Sequence, residues 1–468
     1  MKILYYNWIQ FDNPQNIGGG VNVYQNNLID YLTKHSNNEI YFLSSGYFYN
    51  ALKNTPYIRK TKNCFSPACQ SFEIINSPIM APAAIIHTNI NIYTNDTISY
   101  NIFDKFIQKY GPFDVIHFNN LEGISINVLK LKEKYPLTKF IVSIHNYQPI
   151  CSLVQYFQNH NKCICENFNN GTECPKCFGG KNNKKIYYHR CKAFYQYLFP
   201  KCKFISFILT TISIPFRFRY KKYININPLQ KTEYYQQYRQ HNIEYLNKYT
   251  DIILAVSERV RQIMISHGII EKKIKTSYIG TKIAEKACYH SSAPQNKIFT
   301  IAYLGYARID KGFFFLIDAL KQLDKDIAKK VNIVLAVKDL NYEQYSKELQ
   351  NFNNITIYNG YTHTELPSIL KNVNLGIVPV LWEDNLPQVA IEMVALGVPI
   401  LCSSFGGANE LCKCDKFIFK GGDTTDFLKK LKTLEQNKNL LDLYWRNHRP
   451  LTTMQAHTQE LMSLYNQK

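Results

Sequence analysis

Short apolar runs of strand length alternate with stretches of helical period along most of the chain, and no other feature constrains the fold as much. Residues 2–6, DVIHF at 114–118, FIVSIHN at 140–146 and DIILAVS at 251–257 read as buried strands. Helical stretches follow the first at 21–32, separate the second and third at about 124–134, and follow the fourth through about His267. Strands buried on both faces and joined by helices imply a parallel sheet covered on each side. At 284–297 the pattern lapses into AEKACYHSSAPQNK, polar and broken by Pro294, which suits a linker. A second series then runs through strands at 298–305, 331–337, 354–360, 375–380 and 399–403, with helical segments such as GFFFLIDALKQL between them. At 468 residues the chain exceeds what one core normally serves, so two domains are expected. No repeat of solenoid type is evident.

Within the second series, EDNLPQVAIEMVALGVP at 383–399 sets Asp384 and Glu392 about two helical turns apart, with Pro387 between them and Gly397 closing the run. Pro387 suits the first helical position, where its missing N–H costs little; Asp384 then lies in the preceding loop and Glu392 on the second turn. Free backbone N–H groups and the positive end of the helix dipole face the same space, a way to hold an anion such as a diphosphate. The competing reading is a capped surface helix.

The segment closely resembles the signature of the retaining glycosyltransferases of family 4, in which two acids with seven residues between them contact a nucleotide sugar. Here the first acid is Asp384 rather than Glu, one methylene shorter, so either adjacent Glu383 shares the role or the sugar sits slightly differently. The resemblance continues through GVPILCSSFGGANEL, where Gly406 and Gly407 precede Glu410, and upstream through NLGIVPVLWED. It covers most of the chain outside 155–248. It implies an α/β chain with the GT-B fold, two doubly wound Rossmann-like domains facing a central cleft. The expected division is 1–290 for an acceptor-binding domain carrying an insertion at about 150–248, 291–448 for the nucleotide-sugar domain, and 449–468 for a C-terminal helix that crosses back onto the first domain. Ligands in such sheets bind outside the carboxyl ends of the strands.

By that resemblance Glu392 binds the ribose hydroxyls and Asp384 the transferred sugar, with backbone N–H groups near Asn385, Leu386 and Gln388 supporting sugar and phosphates; Pro387 can donate nothing. GYARIDKG places Arg308 and Lys311 after a strand, where two cations would neutralise a departing nucleoside diphosphate. Lys311 with Gly312 matches the family; the basic partner more often stands where this chain has Tyr306. Tyr361 flanks the nucleobase or is ordinary packing. On the acceptor side Gly18, Gly19 and Gly20 permit close backbone approach, and the resemblance places Gly19 and Gly20 over the donor phosphates. His145, in SIHNYQPIC, matches a family histidine that contacts the transferred sugar, whereas His117 reads as a core residue. With no DxD pair in a suitable loop, the cations take the task a divalent metal performs in other glycosyltransferases, and no cofactor is expected for catalysis.

Cys151, Cys163, Cys165, Cys174 and Cys177 follow closely and end in CPKC, a spacing that suits tetrahedral zinc. A structural zinc bracing the insertion is one reading; reduced packing cysteines or a disulfide are the others. Residues 201–222, KCKFISFILTTISIPFRFRYKK, hold an apolar run flanked by cations, too short to span a bilayer but suited to its interface. The other reading is a buried helix. Membrane contact would make the acceptor a polyprenyl-diphosphate-linked saccharide.

The net charge of +20 implies attraction to nucleic acid, anionic lipid or phosphorylated substrates. The N-terminus lacks the apolar core of a signal peptide, so a cytoplasmic protein, peripheral at the inner face of the membrane, is expected. The functional expectation is a metal-independent retaining glycosyltransferase of bacterial surface polysaccharide or glycoconjugate synthesis, with a nucleotide-sugar donor, a saccharide acceptor and no nucleic acid. Two other classes compete: a basic zinc-knuckle nucleic-acid-binding protein, and a catalytically silent GT-B subunit.

Overall fold

The computed structural model describes residues 1–13, 17–53, 55–83, 90–158, 160–165, 170–177, 183–200, 204, 208–211, 232–290 and 298–467. The first half builds an eight-stranded sheet in the order 274–276, 252–255, 139–144, 115–118, 2–7, 39–45, 69–75, 57–61. All its pairs are parallel except the last, where Tyr57–Thr61 runs antiparallel to Cys69–Ile75. The central strand Lys2–Asn7 is buried along nearly its whole length, as a strand covered on both faces must be. The strands at 39–45, 57–61, 69–75 and 274–276 were not among those expected from the sequence. The second carries adjacent Arg59 and Lys60 in place of an apolar run, and the last is only three residues long.

The second half builds a six-stranded, all-parallel sheet in the order 354–358, 331–337, 299–305, 375–378, 400–403, 418–419. Numbered along the chain this is 3-2-1-4-5-6, the dinucleotide-fold order, whose direction reverses between Phe299–Gly305 and Leu375–Val378. The loops after those two strands therefore leave the sheet side by side and diverge, opening a crevice. In the first sheet the same reversal falls between Lys2–Asn7 and Val115–Phe118.

Helix Gly19–His35 follows the first strand and buries Tyr24, Leu28, Ile29 and Leu32, spaced for one helical face. It begins two residues earlier than the sequence pattern indicates, so Gly19 and Gly20 form its first turn; the positive φ falls on Gly18 and Gly19, which no branched side chain would tolerate. Residues 124–134 form a 3₁₀ turn, Ile126–Lys130, and a single α turn, Leu131–Lys134, in place of one helix.

The C-terminal helix Met454–Asn466 packs on the first domain. Tyr24 Oη lies 2.8 Å from His457 Nε2, and Tyr465 Oη lies 2.6 Å from His117 Nδ1 and 3.3 Å from Tyr5 Oη. His117 also meets Ser143 Oγ at 2.7 Å and is fully buried, the core residue expected. Most of 201–222, the expected interfacial segment, lies outside the described residues, as do the linker residues 291–297. Among the described residues no helix is long and apolar enough to cross a membrane.

Candidate active site

The crevice wall on the C-terminal domain forms at the strand-order reversal. Gly312 has φ of 72°, and a Cβ there would lie 1.7 Å from the Pro379 carbonyl oxygen. Only glycine lets the loop after Phe299–Gly305 press this closely on the loop after Leu375–Val378. The result is that Lys311 Nζ reaches Asp384 Oδ2 at 2.6 Å, with the ammonium 4.8 Å from the Trp382 ring centre. Asp384 is almost fully buried while Lys311 keeps about a quarter of its side chain in solvent. Gly406 closes the loop from the other side, where a Cβ would meet the Asp384 carbonyl oxygen at 2.2 Å, and Gly407 N donates to that oxygen at 2.8 Å.

Helix Gln388–Ala395 follows. Pro387 occupies the position just before the helix rather than its first residue, with φ −68° and ψ 126°; the fixed proline φ serves either place. Glu392 stands on the second turn, 5% exposed, and its Oε1 lies 3.0 Å from His363 Nδ1. The carboxylate raises the His363 pKa through that hydrogen bond. Tyr361 lies close enough to Glu392 and Tyr306 for both to push its phenol up, after burial. Asn385 is 6% exposed and neither Nδ2 nor Oδ1 has a partner, while Leu386 beside it is buried apolar packing. A buried amide with both ends unmet costs several kcal/mol by order of magnitude unless something binds it.

Two expected contributors take other partners. Glu383 does not face Lys311 as Asp384 does: its carboxylate accepts a two-pronged pair from Arg259 of the first domain, with Arg259 Nε to Oε2 at 2.9 Å, and also the Gly406 N–H at 2.9 Å. It is a latch between domains. Arg308 is paired with Asp310, at 2.9 Å from Nε and 2.7 Å from Nη2, which neutralises it two residues from its own Cα. Lys311 is thus the cation directed at the acids. A second latch lies nearby, where Glu410 accepts from Glu258 N, Arg259 N and Tyr278 Oη at 3.0, 2.8 and 2.6 Å. Arg259, His363 and the capping role of Glu410 had no signal in the sequence, because each acts on a residue more than 25 positions away.

The opposite wall belongs to the first domain and touches the helix start: a Cβ on Gly20 would lie 2.9 Å from Gln388 Cγ. Behind that contact stand amides from the carboxyl ends of three strands. Asn7 Nδ2 donates to Gln25 Oε1 at 2.7 Å, Asn120 donates to Asn7, and Asn119 is buried with its amide unmet. His145 packs 5.0 Å from the Tyr24 ring, and its Nε2 has no partner. Burial drives its pKa down to about 3, so it is a neutral imidazole. Next to it Asn146 Nδ2 and Ala83 N donate to Glu122 at 2.7 and 2.6 Å, and burial lifts that carboxyl to about 7.

A structural zinc, reduced packing thiols and a disulfide were the readings open for the five thiols of the insertion. Among the described residues no three His, Cys, Asp or Glu side chains come together as metal ligands would. Cys174 Sγ lies 2.9 Å from the Arg239 guanidinium, and Cys177 Sγ 3.6 Å from His160 Nδ1. A fixed cation against a thiol opposes a divalent ion at the same place. Burial, reinforced by Cys151, Cys165 and Cys177, pushes Cys174 up to about 12, the behaviour of a packing thiol, and Cys163 is exposed.

This arrangement of sheets and crevice defines the GT-B class of two-domain nucleotide-sugar folds. Residues 290–449 match the family model described as glycosyl transferases group 1, and the chain has the GT-B fold. Solved structures agree over the whole length. Sucrose-phosphate synthase from Thermosynechococcus elongatus is 14% identical with a TM-score of 0.59, covering 99% of this chain and 98% of its own. HepE from Anabaena, solved with UDP, is 13% identical with a TM-score of 0.56 and full coverage of both chains. A glycosyltransferase from Rickettsia africae is 13% identical with a TM-score of 0.55, over 99% and 97%. No curated protein matches the sequence.

Proposed function

We propose that this protein transfers a sugar from a nucleotide-sugar donor to a saccharide acceptor, with retention of configuration at the transferred carbon. The observation that carries the reading is the convergence, at the reversal of strand order, of Lys311, Asp384 and the unpartnered amide of Asn385 beside the start of helix Gln388–Ala395. Cleaving a sugar from a nucleotide requires stabilisation of the departing diphosphate and of an oxocarbenium-like ring. Lys311 and the helix N-terminus supply positive charge for the first, the task a divalent ion has in other transferases. Asp384 and the amide of Asn385 face the second, and Glu392 holds the ribose hydroxyls. HepE has been solved with UDP-glucose, which makes a uridine donor the first to test. A role in bacterial surface polysaccharide or glycoconjugate assembly, at the inner face of the membrane, follows from the same reading.

Thermal unfolding in the presence of UDP, GDP and ADP tests the donor site, since a ligand bound at about 100 times its Kd stabilises by roughly 2.7 kcal/mol. One of the three is expected to raise Tm, and Lys311→Ala and Glu392→Ala to abolish that rise. Equal shifts in both variants and the parent would move the donor elsewhere.

A further inference from the structure

One constellation of nucleophilic and titratable side chains has no part in the transfer chemistry, and it lies in the cysteine-bearing insertion of the first domain. Cys174–Cys177 forms a single helical turn, CPKC, in which both thiols are partly buried and neither is in a disulfide. Side chains three apart on a turn share a face. The two thiols nevertheless meet different neighbours.

Cys177 has a base. Its Sγ lies 3.6 Å from His160 Nδ1, and His160 Nε2 lies 2.8 Å from Glu173 Oε2. A carboxylate on Nε2 holds the ring proton there, which leaves Nδ1 to accept from the thiol. Lys176 Nζ, 3.1 Å from the Glu173 carboxylate, adds a cation beside the pair. A series of thiol, imidazole and carboxylate is how a weakly acidic cysteine becomes a nucleophile near neutral pH. His160 and Glu173 keep 21% and 31% of their side chains in solvent, so a small reagent can reach the site.

Cys174 is the held partner. Arg239 Nη2 lies 2.9 Å from its Sγ, and Nε of the same guanidinium donates to the Ile150 carbonyl at 2.9 Å. Two neighbours on helix Thr232–Tyr249 bond the preceding carbonyls, Asn242 Nδ2 to Pro149 at 3.0 Å and Tyr238 Oη to Gln148. The arginine is therefore fixed before any reaction. Burial keeps Cys174 a neutral thiol, so the first attack falls to Cys177. The guanidinium then meets the charge that forms on Cys174 when it reacts in turn.

We propose that Cys174 and Cys177 are a redox-active dithiol, with Cys177 the attacking thiol and a disulfide of a low-molecular-weight thiol, RSSR, as the oxidant. Cys177 passes its proton to His160 and its sulfur attacks one sulfur of RSSR; the S–S bond breaks and RS⁻ leaves, recovering that proton as RSH. Cys174 then attacks the Cys177 sulfur of the mixed disulfide, and the second RS⁻ leaves with the Cys174 proton. Two protein thiols are oxidised to one disulfide, and RSSR is reduced to two RSH. Closing the bond tightens the turn, from Cβ atoms about 5–6 Å apart to about 3.5–4.5 Å.

Peptide mapping by mass spectrometry on the full chain, sampled over time in oxidised glutathione, tests it. The parent is expected to gain the Cys174–Cys177 disulfide before either exposed thiol, Cys64 or Cys163, is modified. Cys174→Ser is expected to stop at a mixed disulfide of Cys177 with glutathione. His160→Gln is expected to slow modification of Cys177 by about tenfold and Glu173→Gln by about threefold. An unchanged rate at Cys64 reports that each variant folds, and Glu173→Gln, at a partly exposed carboxylate, keeps the test open should His160→Gln not fold. Earlier modification of Cys64 or Cys163, an undiminished Cys177 rate in the folded variants, or a mixed disulfide at Cys174 in place of Cys177 would overturn the proposal. So would a purified chain from which EDTA releases zinc and in which Cys177 reacts only afterwards, since the thiols would then belong to the metal.

Discussion

The two walls of the crevice solve different electrostatic problems. The C-terminal wall is ionic: Lys311 faces Asp384, His363 faces Glu392, and a helix N-terminus stands between them. The N-terminal wall is built from amides and one neutral imidazole, with Asn7, Asn119, Asn120 and His145 at the ends of parallel strands. A diphosphate carries charge that must be met by charge, whereas hydroxyls are recognised by dipoles whose positions matter more than their sum. The contrast teaches that the two sides of one crevice can differ in the kind of group each is equipped to meet, charge on one side and dipoles on the other.

The largest effect expected is on the ionic wall. Lys311→Ala is expected to lower kcat by roughly 10²–10³, the usual consequence of removing one group that meets developing charge; steady-state assays with the stabilising nucleotide's sugar measure it, and a loss below tenfold would argue that Arg308 or the helix start carries the charge. The latch between the walls comes next. Arg259→Ala leaves Glu383 buried without its cation, a change that costs about 3–5 kcal/mol for a fully buried pair; with Arg259 43% exposed, about 1–3 kcal/mol is expected by urea unfolding. Adding Glu383→Gln should recover part of it, and a double variant no more stable than the single one would remove the latch from the account.

Asn385→Leu sharpens the comparison in the opposite direction. Replacing an unmet buried amide by an apolar group of similar size is expected to leave the free protein as stable or slightly more so, while nucleotide stabilisation falls. A variant that loses stability and keeps nucleotide binding would show that the amide serves the fold.

The smallest and most distributed effect is that of pH. Burial holds His117 and His145 down to about 3, and His457 and His267 to about 4. The unfolded chain binds protons at these groups below about 6.5 while the folded chain does not, so their contribution is complete above that pH and lost as pH falls toward 4. Glu122, lifted to about 7, acts the other way between its unfolded value near 4.5 and 7. Four histidines outweigh it, so Tm is expected to drop from pH 7 to pH 5. His117→Gln should flatten the slope, and a Tm independent of pH across that range would contradict the neutral state of these four buried imidazoles.

The ionic wall was legible because its parts are nearly contiguous. A buried strand, an acidic loop, a proline and a helix occupy one stretch of chain, and their spacing fixes where Asp384 and Glu392 stand. The latch formed by Glu383 was not legible, since its partner Arg259 is supplied by another domain and nothing local distinguishes Glu383 from Asp384. The surroundings of the cysteines were illegible for a related reason. CPKC has the spacing of a metal site, but the Arg239 guanidinium from helix Thr232–Tyr249 takes the place beside Cys174. Local spacing states which side chains can converge, and packing states what converges with them.

By itself the sequence determined two doubly wound sheets and the ionic wall of the crevice, because periodicity and motif act over distances of a few turns of chain. Only the tertiary structure decided which of two adjacent acids faces the lysine, which thiol meets an arginine, and that Gln10 bonds to Ser44 and Phe72. Those contacts join residues dozens of positions apart. Their partners are chosen by strand order and close backbone approach, which no local pattern records.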